Sequence, residues 1–247
     1  MKEKEERRKQ ERILILGIIL SIFLLGFVIA ADPVSPDGIT YGENETKNVS
    51  DSLMVNISGG VISNFNLSAT IQNPRWKAFV GQVVGSFTLS DSLGSTIYDW
   101  TLATVTGRVY ATRTNGEVAW TSIGCADTAA LESENIEMSH SNPDDNLTAT
   151  FSDTTHDSFY VGANAITQDS CYSLNTYVNS IKDESAGQPF EEMALHDGSN
   201  LVFATILEED STGYNGESYD FQMIVPENGS AGFTSATPYY LYVEIGN

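Results

Sequence analysis

Hydrophobic residues return at every second position through most of this chain, and that period constrains its fold more than any other feature. TPYYLYVEI at 237–245 sets Tyr239, Leu241, Val243 and Ile245 against Tyr240, Tyr242 and Glu244. YDFQMIVP at 219–226 alternates Tyr219, Phe221, Met223 and Val225 in the same way. Side chains along a strand point alternately to opposite faces, so a sustained period of two predicts strands with one apolar face. Ten to twelve such runs joined by Gly/Asn/Asp turns, with little helical pattern, predict an all-β fold. The expected form is an antiparallel β-sandwich, Ig-like or jelly-roll-like, over residues 53–247. No tandem repeat of fixed period is present, which disfavours a solenoid or propeller.

The individual runs give the expected order. Around 60–72, VISNFNLSATI puts Val61, Phe65, Leu67, Ala69 and Ile71 on one strand face and Asn64, Asn66 and Ser68 on the other. A run at 77–90 carries Phe79, Val83, Phe87 and Leu89 on one face and Val80 and Val84 on the other, which reads as burial on both sides. DSLG turns the chain into 96–103, with Tyr98, Trp100 and Leu102 together. Asn115-Gly116 between 107–113 and 117–123 is the strongest short hairpin signal, since both residues tolerate the positive φ of a type I′ turn. ADTAALESENIEM near 126–138 is the one helical stretch, with Asp127 placed to cap it. Further strands are expected at 147–152, 158–163 and 171–178, then a hairpin of 190–196 and 200–207 across DGSN.

The N-terminus does not belong to this pattern. MKEKEERRKQER carries six Lys/Arg against four Glu, and the eighteen residues Ile13 to Ala30 carry no charge. Residues 1–31 read as a signal peptide cleaved near Ala30 or Ala31, or as an N-terminal membrane anchor with a hydrophobic helix. The apolar run is long for a signal and short for a span of roughly 30 Å. In both cases the basic cluster stays cytoplasmic and the rest of the chain lies outside, and an uncleaved 13–30 run contacts the membrane. Residues 32–52, rich in turn formers, read as an extended lead segment in which Ile39 and Tyr41 share one face.

Taking six Lys/Arg and four Glu away with the first twelve residues leaves six bases against 29 acids, a charge of −23. Such a surface repels nucleic acid and anionic lipid, so neither is an expected partner of the exported part. The charge is that of a solvated exterior; the alternative is that divalent cations bridge some carboxylates. No cofactor is expected; calcium is the possible exception, because hard cations take oxygen ligands, and Asp144, Asp145, Glu208 and Asp210 are the candidates.

Cys125 and Cys171 form an even pair in an exported chain, most economically a disulfide, with two separate buried thiols as the alternative. Neither sits in a C-x-x-C pair. Six sequons mark Asn44, Asn48, Asn56, Asn66, Asn146 and Asn228 as N-glycosylation candidates. Asn66 is the best placed, on the polar face of its run, where a glycan projects into solvent.

Reactive chemistry is hard to find. G-x-S-x-G, HExxH, a P-loop, an EF-hand loop and a dinucleotide glycine fingerprint are all absent. His140, His156 and His196 stand at no ligand-like spacing, and the contiguity of His156, Asp157 and Ser158 argues against a triad, since neighbours on a strand point apart. A glycosidase needs two carboxyls about 5 to 10 Å apart across a cleft, which sequence spacing does not show. Trp76, Trp100 and Trp120 are either a sugar-binding platform or plugs closing a core. Trp100 and Trp120 read as core, and Trp76 as wetter because Arg75 and Lys77 flank it.

The motifs WKAFVG, SDSLGSTIYDW, GRVYATR, WTSIGCA, YDFQMIVPE and YYLYVEI, over roughly 74–247, resemble a family of secreted archaeal cell-surface proteins. The resemblance implies an extracellular, β-rich domain, tethered or shed, and carries no catalytic residue. The expected role is structural or adhesive and not enzymatic. The alternatives are a lectin-like module binding surface glycans, a self-assembling donor-strand filament subunit fed by residues 32–52, or a carbohydrate-active hydrolase.

Overall fold

LVFATIL at 201–207 is apolar at nearly every position, which a strand tolerates only where both faces are covered. The computed structural model describes residues 32–48, 54, 56–182 and 187–246, and places 201–206 in the middle of the largest sheet. The expectations for residues 1–31 lie outside the described residues. The chain divides into two units, Met1–Ala31 and Asp32–Asn247, and all the described residues belong to the second.

In chain order the strands are β1 (Trp76–Gly81), β2 (Ser86–Ser90), β3 (Thr96–Thr101), β4 (Gly107–Thr112), β5 (Gly124–Cys125), β6 (Phe159–Val161) and β7 (Asn164–Ile166). They continue as β8 (Ser173–Asn175), β9 (Glu191–His196), β10 (Leu201–Ile206), β11 (Ser211–Thr212), β12 (Ser218–Tyr219), β13 (Phe221–Pro226) and β14 (Tyr240–Ile245). Among the described residues two α-helices, α1 (Thr128–Glu137) and α2 (Leu147–Thr150), interrupt them. The fold is β-rich with few helices, and every strand pairing among the described residues is antiparallel.

The six-stranded sheet runs β14-β4-β10-β9, and the far edge of β9 is shared by β5 and β8. Its register brings Leu241, Ala111, Phe203 and Ala194 into one row and Tyr242, Tyr110, Ala204 and Met193 into the next. Alternate rows feed two different cores. Val109, Ala111, Leu201, Phe203 and Ala194 join Phe221, Met223 and Val225 of β13, Leu131 of α1, and Leu147 and Phe151 of α2. Tyr110, Val202, Ala204, Met193 and Leu195 join Val118, Trp120, Ile123, Phe159, Val161, Ile166 and Cys171. Both faces of β10 are therefore dry.

β13 pairs β1 on one edge, Trp76↔Pro226 to Gly81↔Phe221. On the other, the Ile224 N–H donates to the Glu192 carboxylate at 2.8 Å, a side chain standing where a strand would be. Asp127 caps α1 by accepting from Ala130 N at 2.8 Å, as its sequence predicts. Gly107 enters β4 with φ of +142°, and a Cβ there would lie 1.8 Å from the Glu244 carbonyl oxygen. Only glycine fits that approach.

Several expectations are corrected. The Asn115-Gly116 hairpin does not form: β4 already has β10 and β14 on its edges, so 117–123 has no edge to take. That segment crosses the sheet face instead, with a 3₁₀ turn at Trp120–Ser122. Residues 60–72 form no strand, and Val61, Phe65, Leu67 and Ile71 are exposed. The 77–90 run splits into β1 and β2, which have different partners, and the doubly buried strands are β4, β9 and β10. Residues 147–150 are helical because Asn146 caps them, accepting from Ala149 N. In the lead segment Ile39 and Tyr41 are exposed; Val34 makes the contact, a two-bond bridge to Val243 on the outer edge of β14.

Candidate functional site

β2 and β3 carry the sequences SFTLS and TIYDWT, each apolar at alternate positions. Their turn is fixed by Asp91, whose carboxylate accepts from Leu93 N at 2.9 Å and Ser95 N at 2.8 Å, and by Gly94 at φ +83°. Those backbone bonds hold the Asp91 carboxyl below its usual value. Phe87 lies opposite Trp100 and Leu89 opposite Tyr98, so all four side chains share one face. The Tyr98 and Trp100 rings meet edge to face, 4.9 Å between centroids. Among the described residues neither strand pairs with a third, and Trp100 remains 50% exposed. The expectation that Trp100 plugs a core is overturned, because no described layer packs over the ribbon's apolar face.

The other tryptophans are architectural. Trp120 is buried between the rings of Tyr110 and Tyr242, each at 5.2 Å, as expected. Trp76 is half-buried, donating from Nε1 to the Asp145 carbonyl at 2.8 Å with its ring edge-on to His140.

Cys125 and Cys171 are joined, across 46 residues. The bond staples the two short segments that share one edge of β9. Ala194 of β9 donates to the Tyr172 carbonyl and accepts from Ala126 N, both at 2.9 Å, so the two segments meet opposite it. His156 braces the same point. Its Nε2 accepts from Ser170 N at 3.0 Å and Cys171 N at 2.9 Å, and its Nδ1 donates to the Asp157 carbonyl at 2.7 Å. An imidazole that accepts twice at Nε2 is neutral with its proton on Nδ1, and here it is fully buried. His156 is a structural brace that contiguity with Asp157 and Ser158 does not reveal. His140 donates to the Glu227 carbonyl and His196 accepts from Gly198 N.

Among the described residues no three His, Cys, Asp or Glu come together as a metal-binding group. The proposed calcium ligands are dispersed in role. The Asp145 carboxylate is taken by Arg75 at 3.2 Å and Asn73 at 2.9 Å, while Asp144 and Asp210 are exposed. Burial raises the Glu208 carboxyl, and the charges of Glu191 and Asp157 raise it further. Burial likewise raises Glu191, whose carboxylate accepts from Asp157 N at 2.7 Å and Gly187 N at 3.3 Å. Glu192 is wholly enclosed, and burial pushes its carboxyl well above the ordinary range despite the Ile224 N–H. No sequence signal distinguishes this carboxylate from the many solvated ones. Burial would also raise Glu227, but hydrogen bonds from Lys77 and Thr237 outweigh it and hold the group down to about 2.

Of the sequon asparagines, Asn44, Asn48, Asn56 and Asn66 are exposed. Asn146 and Asn228 are half-buried, their side-chain oxygens accepting from Ala149 N and Ser230 N. A shallow hollow lined by Ile71, Gln72, Asn73, Pro74, Arg75 and Asp145 opens beside the root of β1. No helix among the described residues is long and apolar enough to cross a membrane. No family model, curated protein or solved structure matches the chain.

Proposed function

We propose that this chain is an exported cell-surface protein with a structural or adhesive role and no catalytic one. Residues 1–31 direct it out of the cytoplasm, as a cleaved signal or a retained anchor. The observation that carries the reading is the uncovered apolar face of the β2–β3 ribbon, where Phe87, Leu89, Tyr98 and Trp100 stand in solvent on a strongly acidic molecule. Isolated exposed apolar residues are ordinary, but four converging on one ribbon face mark a contact surface. The disulfide supports an oxidising compartment, and the motif resemblance to secreted archaeal surface proteins points the same way. In architecture the reading takes the β1–β13 pair and the six-stranded sheet as facing layers of a sandwich.

A lectin-like module is the second reading, favoured by the half-exposed Tyr98–Trp100 ring pair, since aromatic faces also stack on sugars. One experiment separates the two. Cells displaying the full chain, wild type or Trp100→Ser/Phe87→Ser, are scored for surface adhesion and for glycan-array binding. The adhesive reading expects loss of adhesion with no glycan signal in either form. A glycan signal that disappears with Trp100 selects the lectin, and unchanged adhesion in the variant ends the assignment of this face.

A further inference from the structure

The apolar ribbon has a counterpart in the same chain. VISNFNLSATI at 61–71 has strand-like alternation but no strand paired with it among the described residues, and Leu67 and Ile71 are 90% and 85% exposed. Two apolar surfaces thus stand uncovered in one molecule, although each has the pattern of a buried face. Their charge is as unusual as their exposure. Residues 52–74 and 78–90, stretches of 23 and 13 residues, contain no Asp, Glu, Lys or Arg in a chain of net charge −21. The ribbon's own carboxylates, Asp91 in the turn and Asp99 on the opposite face, lie off its apolar rows, so these two faces meet without setting carboxylate against carboxylate.

Their positions are equally informative. The 61–71 segment joins the fold at the Trp76 end of β1, where Asn73 and Arg75 are held by the Asp145 carboxylate. The ribbon leaves from the Gly81 end, rooted where Leu102 N donates to the Gly85 carbonyl and Gly85 packs on Ile245. Six residues of strand, about 20 Å, separate the two ends.

We propose that Val61–Ile71 of one copy seats on the β2–β3 ribbon of a second copy, joining molecules head to tail. Phe65, Leu67 and Ile71 meet Phe87, Leu89, Tyr98 and Trp100, while Asn64, Asn66 and Ser68 stay in water. A glycan on Asn66 is compatible with that contact, because it projects from the outer side. The contact is heterologous, donor of one copy to acceptor of the next, so it repeats into a ring or an open chain. The proposal deepens the adhesive reading by naming what the ribbon face holds.

The test uses full-length chains from an exporting host. Both native cysteines are in the disulfide, so an added cysteine is the sole free thiol among the described residues. Chains carrying Leu67→Cys and chains carrying Leu89→Cys, differently tagged, are mixed and treated with a short bismaleimide. The expected result is a cross-linked dimer holding one of each, little dimer from either alone, and a ladder from the double variant. Adding Phe65→Asp to the Leu67→Cys chain lowers the yield about tenfold or more, since a carboxylate would be buried unpaired. An intact Cys125–Cys171 bond verifies folding in each variant. Cross-linking within a single chain, equal self-dimers of the single variants, or no cross-link each overturn the proposal. Adhesion that persists without cross-linking overturns the assembly while leaving the surface role in place.

Discussion

β10 and the β2–β3 ribbon both present apolar side chains on strands and have opposite surroundings. β10 has β4 and β9 on its edges and a core on each face, so Phe203 is 1% exposed. Among the described residues the ribbon strands have only each other, and Trp100 keeps half its surface in water. Apolar strand residues therefore report the chemistry of a strand's faces and not the existence of a layer to cover them. In β10 the apolar residues stabilise this molecule; in the ribbon the same residue types are available to another.

Substitution should separate the two regions sharply. Phe203→Ala leaves a cavity between β10, β13 and α2 and is expected to cost about 3–5 kcal/mol. Trp100→Ala should change stability by less than about 0.5 kcal/mol, the range of surface substitutions. Denaturant titration of both variants measures the contrast, and a cost at Trp100 approaching that at Phe203 would break it.

The disulfide should rank next. Replacing both Cys125 and Cys171 by Ser removes the staple on the outer edge of β9, with an expected cost of about 2–4 kcal/mol. Proteolysis should then open the 125–171 side of the sheet while cutting the ribbon no faster than before.

The buried carboxylates sharpen the comparison through pH. Glu192, Glu191 and Glu208 are raised above the ordinary 4.5 in the folded state. Their contribution is full below pH 4.5 and is lost as pH rises through the folded values, because the unfolded chain ionises first. Glu227 is depressed to about 2, so its contribution is present above 4.5 and lost as pH falls towards 2. Stability should therefore peak in mild acid. Each unit of separation is worth about 1.4 kcal/mol. Glu192→Gln, which keeps an acceptor for Ile224 N, should flatten the upper limb; an unchanged slope would show that Glu192 does not govern it.

A smaller effect is expected at α1. Asp127→Ala removes the cap on Ala130 N and should cost about 1 kcal/mol, read by thermal melting.

The sequence made some of this legible. The β9–β10 hairpin, β13, β14 and the Asp127-capped helix follow from local rules, because each depends on residues close together in the chain or on one periodic face. The cysteine pair, 46 residues apart, follows instead from there being two cysteines in the chain. What local rules miss is competition for edges. Asn115-Gly116 has the residues of a tight turn, yet β4 has both edges filled by strands about 90 and 130 residues later in the chain. VISNFNLSATI has the pattern of a strand and no partner strand among the described residues. The Trp100 face was legible as apolar and not as uncovered, and Glu192 looks in sequence like any other surface acid.

Backbone hydrogen exchange of the full-length chain, measured at low and at high protein concentration, tests most directly whether apolar strand faces serve two ends here. β10 should exchange slowly at both concentrations. The amides of 61–71 and of β2–β3 should exchange fast when dilute and become protected together when concentrated. Protection of the ribbon in the dilute protein, or no protection of either segment at high concentration, would contradict the account.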